Sequence, residues 1–224
     1  MFARTTRLLT LGALAFAPML SLADPYQVTV TSTVYDLAKL PTFNIQNFLK
    51  VGDAATFTFM VDSNSFIDSS AHPVRGYTIT PGSMSLTVGG YSVALTVPSP
   101  MYFSIRNNDP GVDGVFVGTT EAGWSAMDAV FPGSNVPLSF GFLETWTGGQ
   151  QWSSTDIAGL AGQSFGTNKI SVFAFELATP GGTGVVSFNV PTMTVSAVPE
   201  PATFGLMALG GLGLLAFARR RQQA

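Results

Sequence analysis

The stretch "SMSLTVGGYSVALTV" (83–97) decides the fold. Met84, Leu86 and Val88 recur at every second position, and after Gly89-Gly90 the alternation resumes through "SVALTV" (92–97). A period of two places alternate side chains on one face of a strand, and a diglycine between two such runs is a two-residue hairpin signal.

Working outward, the same period governs the middle of the chain. "QVTVT" (27–31), "TFTFMVD" (56–62), "ISVFAF" (170–175), "VVSFNV" (185–190) and "TMTVS" (192–196) each read as a half-buried strand, with weaker strands expected at 101–106, 114–118 and 136–143. Turn clusters separate them: "NNDPG" (107–111), "FPGSN" (131–135) and "TPGGTG" (179–184). Only "STDIAGLAG" (154–162) invites a short helix, capped by Ser154 or Thr155. Nine or ten short strands without crossover helices predict an all-β fold, a single β-sandwich or jelly-roll-like domain over residues 24–196.

Composition narrows the function classes. The 224 residues include no cysteine, which removes disulfides, thiolate metal sites, lipid modification through cysteine and cysteine nucleophiles together. Eighteen phenylalanines are enough to fill a core. Between residues 24 and 198 there are five basic and twelve acidic side chains, a net charge of −7 that repels phosphate backbones and argues against a nucleic-acid partner.

Three places carry candidate chemistry. His72, the only histidine, lies in "DSSAHPVRGY" (68–77) beside Asp68, Ser69 and Ser70, but triad members rarely sit this close in sequence, and no nucleophile elbow is present. It reads as an exposed loop histidine. "RNNDPGVDGVF" (106–116) offers Asn107, Asn108, Asp109 and Asp113 as hard oxygen ligands that calcium accepts in flexible loops, although its spacing is not that of an EF-hand. Calcium is the one cofactor the sequence proposes. In "GFLETWTGGQQW" (141–152), Glu144 lies near Trp146 and Trp152, an acid and two aromatic faces that could hold a sugar ring. Glycoside hydrolysis would need two carboxylates from among Glu121, Glu144 and Glu176 and the nearby aspartates, and nothing in the spacing selects a pair. The expectation is a structural or adhesive protein and not an enzyme, with a carbohydrate-binding module built on Glu144, Trp146 and Trp152 as the alternative.

The two ends read as addresses. Arg4 and Arg7, the apolar run Leu8–Leu20 and the small-residue site Ser21-Leu22-Ala23 have the layout of a secretory signal peptide, with cleavage expected after Ala23. At the other end, Pro199-Glu200-Pro201 precedes an apolar run at 202–218 and then Arg219, Arg220 and Arg221. Seventeen residues of helix cover roughly 25 Å, the short limit for a transmembrane helix. The arginines hold their end in the cytoplasm by the positive-inside rule, and Arg4 and Arg7 hold the other, so everything between crosses the membrane.

Proline pair, apolar span and basic cluster, in this order and at this end, resemble the PEP-CTERM sorting signal of Gram-negative bacteria. The resemblance covers residues 197–224 and implies a partner, the membrane enzyme exosortase, which cleaves near the Pro-Glu-Pro motif. It further implies transient anchoring in the inner membrane, transfer to the cell surface or extracellular matrix, and an association with exopolysaccharide and biofilm. The pattern "VGDAATFTFMVD" (51–62), followed by a glycine hairpin, is similar more loosely to the β-rich ectodomains that precede such signals.

Overall fold

The alternating segments assemble into one antiparallel sheet. A computed structural model describes residues 25–38, 44–134, 136–149, 151–165, 170–180 and 184–199. The signal peptide with Ala23, the span 202–218 and the arginines lie outside the described residues. Within the described residues the strands in chain order are β1 (Pro25–Leu37), β2 (Ala54–Asp68), β3 (Val74–Ile79), β4 (Ser85–Val88), β5 (Tyr91–Thr96), β6 (Tyr102–Arg106), β7 (Val112–Gly118), β8 (Met127–Val130), β9 (Leu138–Thr147), β10 (Ser164–Phe165), β11 (Ile170–Ala178), β12 (Gly184–Phe188) and β13 (Thr192–Ala197). The all-β expectation holds.

Hydrogen bonding runs β10-β13-β1-β12-β11-β9-β7-β6-β3-β2-β4-β5-β8, and β1 also pairs with β2 and β8 with β9. The sheet therefore returns on itself around a single core. Closure depends on three long strands that change neighbours along their length, β1, β2 and β9, the last pairing with β8 over residues 138–140 and with β7 over residues 143–147. β1 pairs with β2 and β13 over its first half and with β12 over its second, and the change coincides with a bulge between Val34 and Asp36. β2 pairs with β4 over residues 55–58 and with β3 from Val61 onward, and the pairing with β3 shifts register between Val61 and Phe66. An extra residue bends and twists a strand, which lets one sheet turn a corner without a break.

The hairpin that opened the reading forms between β4 and β5, with Leu86 opposite Val93 and Val88 opposite Tyr91. Gly89 and Gly90 both take positive φ, +59° and +84°, the backbone a two-residue hairpin with the strand twist requires. Gly89 is needed twice over, because a Cβ there would stand 2.5 Å from Leu49 Cδ2.

Phenylalanines from facing strands fill the interior. Phe57 of β2 meets Phe140 of β9 with ring centroids 4.9 Å apart, Phe140 meets Phe175 of β11 at 5.3 Å, and Phe175 meets Phe188 of β12 at 5.0 Å. Such tilted or edge-to-face pairs each add about 0.5–1.5 kcal/mol beyond the area they bury. All four rings are almost fully removed from solvent.

Three strands escape the sequence reading: β3, β8 and β10. The helix expected at 154–162 is a single 3-10 turn, Ile157–Leu160, and its cap is Asp156, whose carboxylate accepts the Ala158 N–H, in place of Ser154 or Thr155. The outer face of the sheet carries an unexpected cover. Residues 119–126, between β7 and β8, cross it as a strap over a floor of glycines: Glu121 Cβ lies against Gly76, the Gly123 carbonyl against Gly118 and the Trp124 ring against Gly141. The Ser125 N–H donates to the Val117 carbonyl and fixes the strap to β7.

Candidate functional site

Parity along β9 decides the fate of the acid and tryptophan cluster. Leu138, Phe140, Phe142, Glu144 and Trp146 alternate onto one face, and that face is the core. Glu144 is 0% exposed, neither of its oxygens meets a hydrogen-bond partner among the described residues, and burial pushes its carboxyl up to about 8. Trp146 and Trp152 are buried with it and pack edge to face at 5.4 Å, with Phe165 against both. Trp152 Nε1 donates to the Arg106 carbonyl. The three residues do come together, but Glu144 and Trp146 face inward, and only Trp152 borders an open pocket, one of about 470 Å³ lined also by Gln151, Ser153, Ser154 and Gln163.

The acidic loop is held by its own backbone. Asp113 is fully buried; one carboxylate oxygen accepts the Asn108 N–H at 2.7 Å, and the other accepts the N–H groups of Gln151 and Trp152. This carboxylate pins the β6–β7 turn to the segment after β9, and Asn108 takes φ +52° in that turn. Asp109 points elsewhere, to His72 Nδ1 at 3.5 Å, and Asn107 donates its backbone N–H to the Pro73 carbonyl. Asn107, Asp109 and Asp113 thus direct their groups to different partners. Among the described residues no three His, Cys, Asp or Glu side chains gather as a metal ion would need.

His72 is exposed just before β3, as read from the sequence, while Arg75 three residues further on grips Asp68 with two N–H groups at 2.6 and 2.9 Å. That pairing holds the Asp68 carboxyl below the usual carboxylate range and raises the guanidinium. Arg75 also lies 3.9 Å over the Phe66 ring.

The third tryptophan, absent from the sequence-based candidates, is the exposed one. Trp124 rides on the strap at 47% exposure. Next to it, where β12 peels away from β11, a groove of about 300 Å³ is lined by Tyr35, Phe173, Glu176 and Ser187. Its signal in the sequence was a tryptophan set among Gly, Ser and Ala in "EAGWSAM" (121–127), outside any alternating run.

The sorting motif begins where the sheet ends. Ala197 still pairs with Tyr26, and the Val198 N–H donates to the Pro25 carbonyl at 2.8 Å. Pro199 follows as the last described residue. Among the described residues no helix is long and apolar enough to cross a membrane. No curated protein and no solved structure matches the chain. Residues 197–222 match the family model of the PEP-CTERM protein-sorting motif. The chain therefore carries the PEP-CTERM motif, which marks it for exosortase-dependent sorting to the cell surface.

Proposed function

We propose that this is an exported protein, anchored for a time in the inner membrane, cut by exosortase near Pro199-Glu200-Pro201, and passed to the cell surface or matrix. There its β-rich body has a structural or adhesive part in an exopolysaccharide-bearing layer and acts by binding, not by catalysis. The observation that carries the reading is the sorting motif at 197–222, set directly after the last paired strand. The closed sheet with its single aromatic core supports a durable extracellular body, since it is built without disulfides. What supports binding over catalysis is the inward turn of Glu144, which leaves the most suggestive acid without access to substrate.

Mass spectrometry of the protein recovered from cells and culture medium tests the route. A mature C-terminus near Pro199 to Pro201 is expected, with the chain starting at Asp24. An intact Arg219-Arg220-Arg221 tail on all exported material, or unchanged processing after Pro199-Glu200-Pro201 is replaced by alanines, would defeat it.

A further inference from the structure

The outer face of the sheet holds a row of groups that the core does not use. Gly141 of β9 is opposite Glu176 of β11, Glu176 is opposite Ser187 of β12, and Ser187 is opposite Asp36 of β1. Directly opposed residues of antiparallel strands share a face, so Glu176, Ser187 and Asp36 form one line of acceptors across three strands. Each end of the line carries an exposed ring. Trp124 lies over Gly141 so closely that a Cβ there would be 2.4 Å from Cζ2, and Tyr35, the extra residue of the β1 bulge, stands 65% exposed beside Asp36. The groove between β11 and β12 is bordered at its far side by Phe173, 38% exposed, which stands opposite Glu144 and so belongs to the core side of β11 and not to the row. With strands about 4.8 Å apart, the row spans roughly 14 Å.

We infer that this face binds a glycan bearing free amino groups, with Trp124 and Tyr35 as stacking platforms and Glu176 and Asp36 as partners for the ammonium groups. A protein partner would want a contiguous apolar centre depleted of charge. Here two rings are separated by carboxylates and a hydroxyl, which suits a chain that alternates C–H faces with polar substituents. Charge selects among glycans. The body carries a net −7 between residues 24 and 198, so an anionic polymer is repelled, whereas an ammonium group gains both a charge-assisted hydrogen bond to a carboxylate and attraction to the aromatic faces. The strap makes the platform rigid before any ligand arrives, because the glycine floor seats Trp124 and the Ser125 N–H ties the strap down, so little ordering cost is left for binding.

This gives a ligand class to the surface role proposed above and rests on that role for its setting. Its test uses the purified full chain in detergent and so succeeds or fails whether or not the chain is sorted. A fully deacetylated glucosamine hexamer is titrated while tryptophan emission and heat are followed, with the N-acetylglucosamine hexamer and an oligogalacturonate as comparisons. Saturable binding of the amine form is expected, weakened at least about tenfold, or about 1.4 kcal/mol, by Trp124→Ala, Tyr35→Ala or Glu176→Gln. Trp124→Ala and Tyr35→Ala leave the charge unchanged, and Tyr35 lies outside the core, so loss of binding in a folded Tyr35→Ala chain identifies the face. Equal affinity in those two variants would mean diffuse attraction to an acidic body and would overturn the site. Equal affinity for the acetylated hexamer would overturn the amino-sugar assignment. Absence of hexamer binding, combined with self-association that Trp124→Ala abolishes, would put a second copy of the chain on this face instead.

Discussion

Glu144 is a carboxyl in an aromatic core, on the same face of β9 as Phe142 and Trp146 and opposite Val115 of β7. Burial pushes its carboxyl up to about 8 in the folded state, from 4.5 for an unburied glutamate. Between those values unfolding releases a proton, so raising the pH favours the unfolded chain and stability falls across that window. Each pH unit costs up to about 1.4 kcal/mol, which over the window amounts to roughly 4–5 kcal/mol. Glu144→Leu, which removes the titrating group and fills a similar volume, should flatten the decline. Its gain over the parent in urea midpoint should be small at pH 5 and large at pH 8. An equal gain at both values would show that Glu144 titrates normally in the folded chain. Much of this was legible in the sequence: in "FGFLETW" (140–146) the acid shares parity with Phe140 and Phe142, and that alone directs it inward. What misled was adjacency, since an acid beside tryptophans resembles a sugar site until the face they share is asked for. Asp113 is the opposite case. Nothing in "NNDPGVDG" (107–114) shows that its oxygens are spent on the N–H groups of residues as distant as Gln151 and Trp152, because those partners are set by how β7 and β9 dock.

At the scale of elements, what alternated was found and what did not was missed. β3 hides because Gly76 sits where an outward side chain would mark the period, and Gly76 is there because Glu121 of the strap occupies that space. β8 and β10 are four and two residues long, too short for any period to show. The strap itself has no sequence period, and only the tertiary fold reveals why three strands facing it carry glycine. It also sets a test. A Cβ on Gly118 would stand 1.7 Å from the Gly123 carbonyl oxygen, a backbone atom held by the turn it closes. Gly118→Ala must therefore lift the strap, at an overpacking cost of about 1–3 kcal/mol. Limited proteolysis should then cut within residues 119–126, while Gly111→Ala, where a Cβ meets no atom within 4 Å and only the φ of +75° objects, should leave those residues protected. Matching cleavage in both variants would mean that the glycine floor does not seat the strap.

For the molecule as a whole, the position of the two ends matters most. β1 begins the body and β13 closes it, and they are neighbours, with Tyr26 opposite Ala197 and the final hydrogen bond running from Val198 to Pro25. The chain thus leaves the sheet beside the place where it entered, one residue before Pro199. At no more than about 3.6 Å per residue, the four steps from Val198 to Ala202 span under about 15 Å, so the folded body stands close to whatever holds the apolar run. Among the described residues Met193 and Val195 are the last buried apolar side chains, and Ser196, Ala197 and Pro199, where the signal starts, are exposed. Removal of the signal should cost the fold nothing. A chain ending at Pro199 is expected to unfold at the same urea concentration as the full chain in the same detergent. A chain ending at Pro191 loses all of β13, the six-residue pairing to β1 and the seats of Met193 and Val195, and with two buried apolar side chains worth about 1.5–3 kcal/mol each it should lose much or all of a stability of the usual 5–15 kcal/mol. If trimming to Pro199 alone lowered the midpoint appreciably, the signal would have to pack against the body, and exosortase would have to break that contact before it could cut.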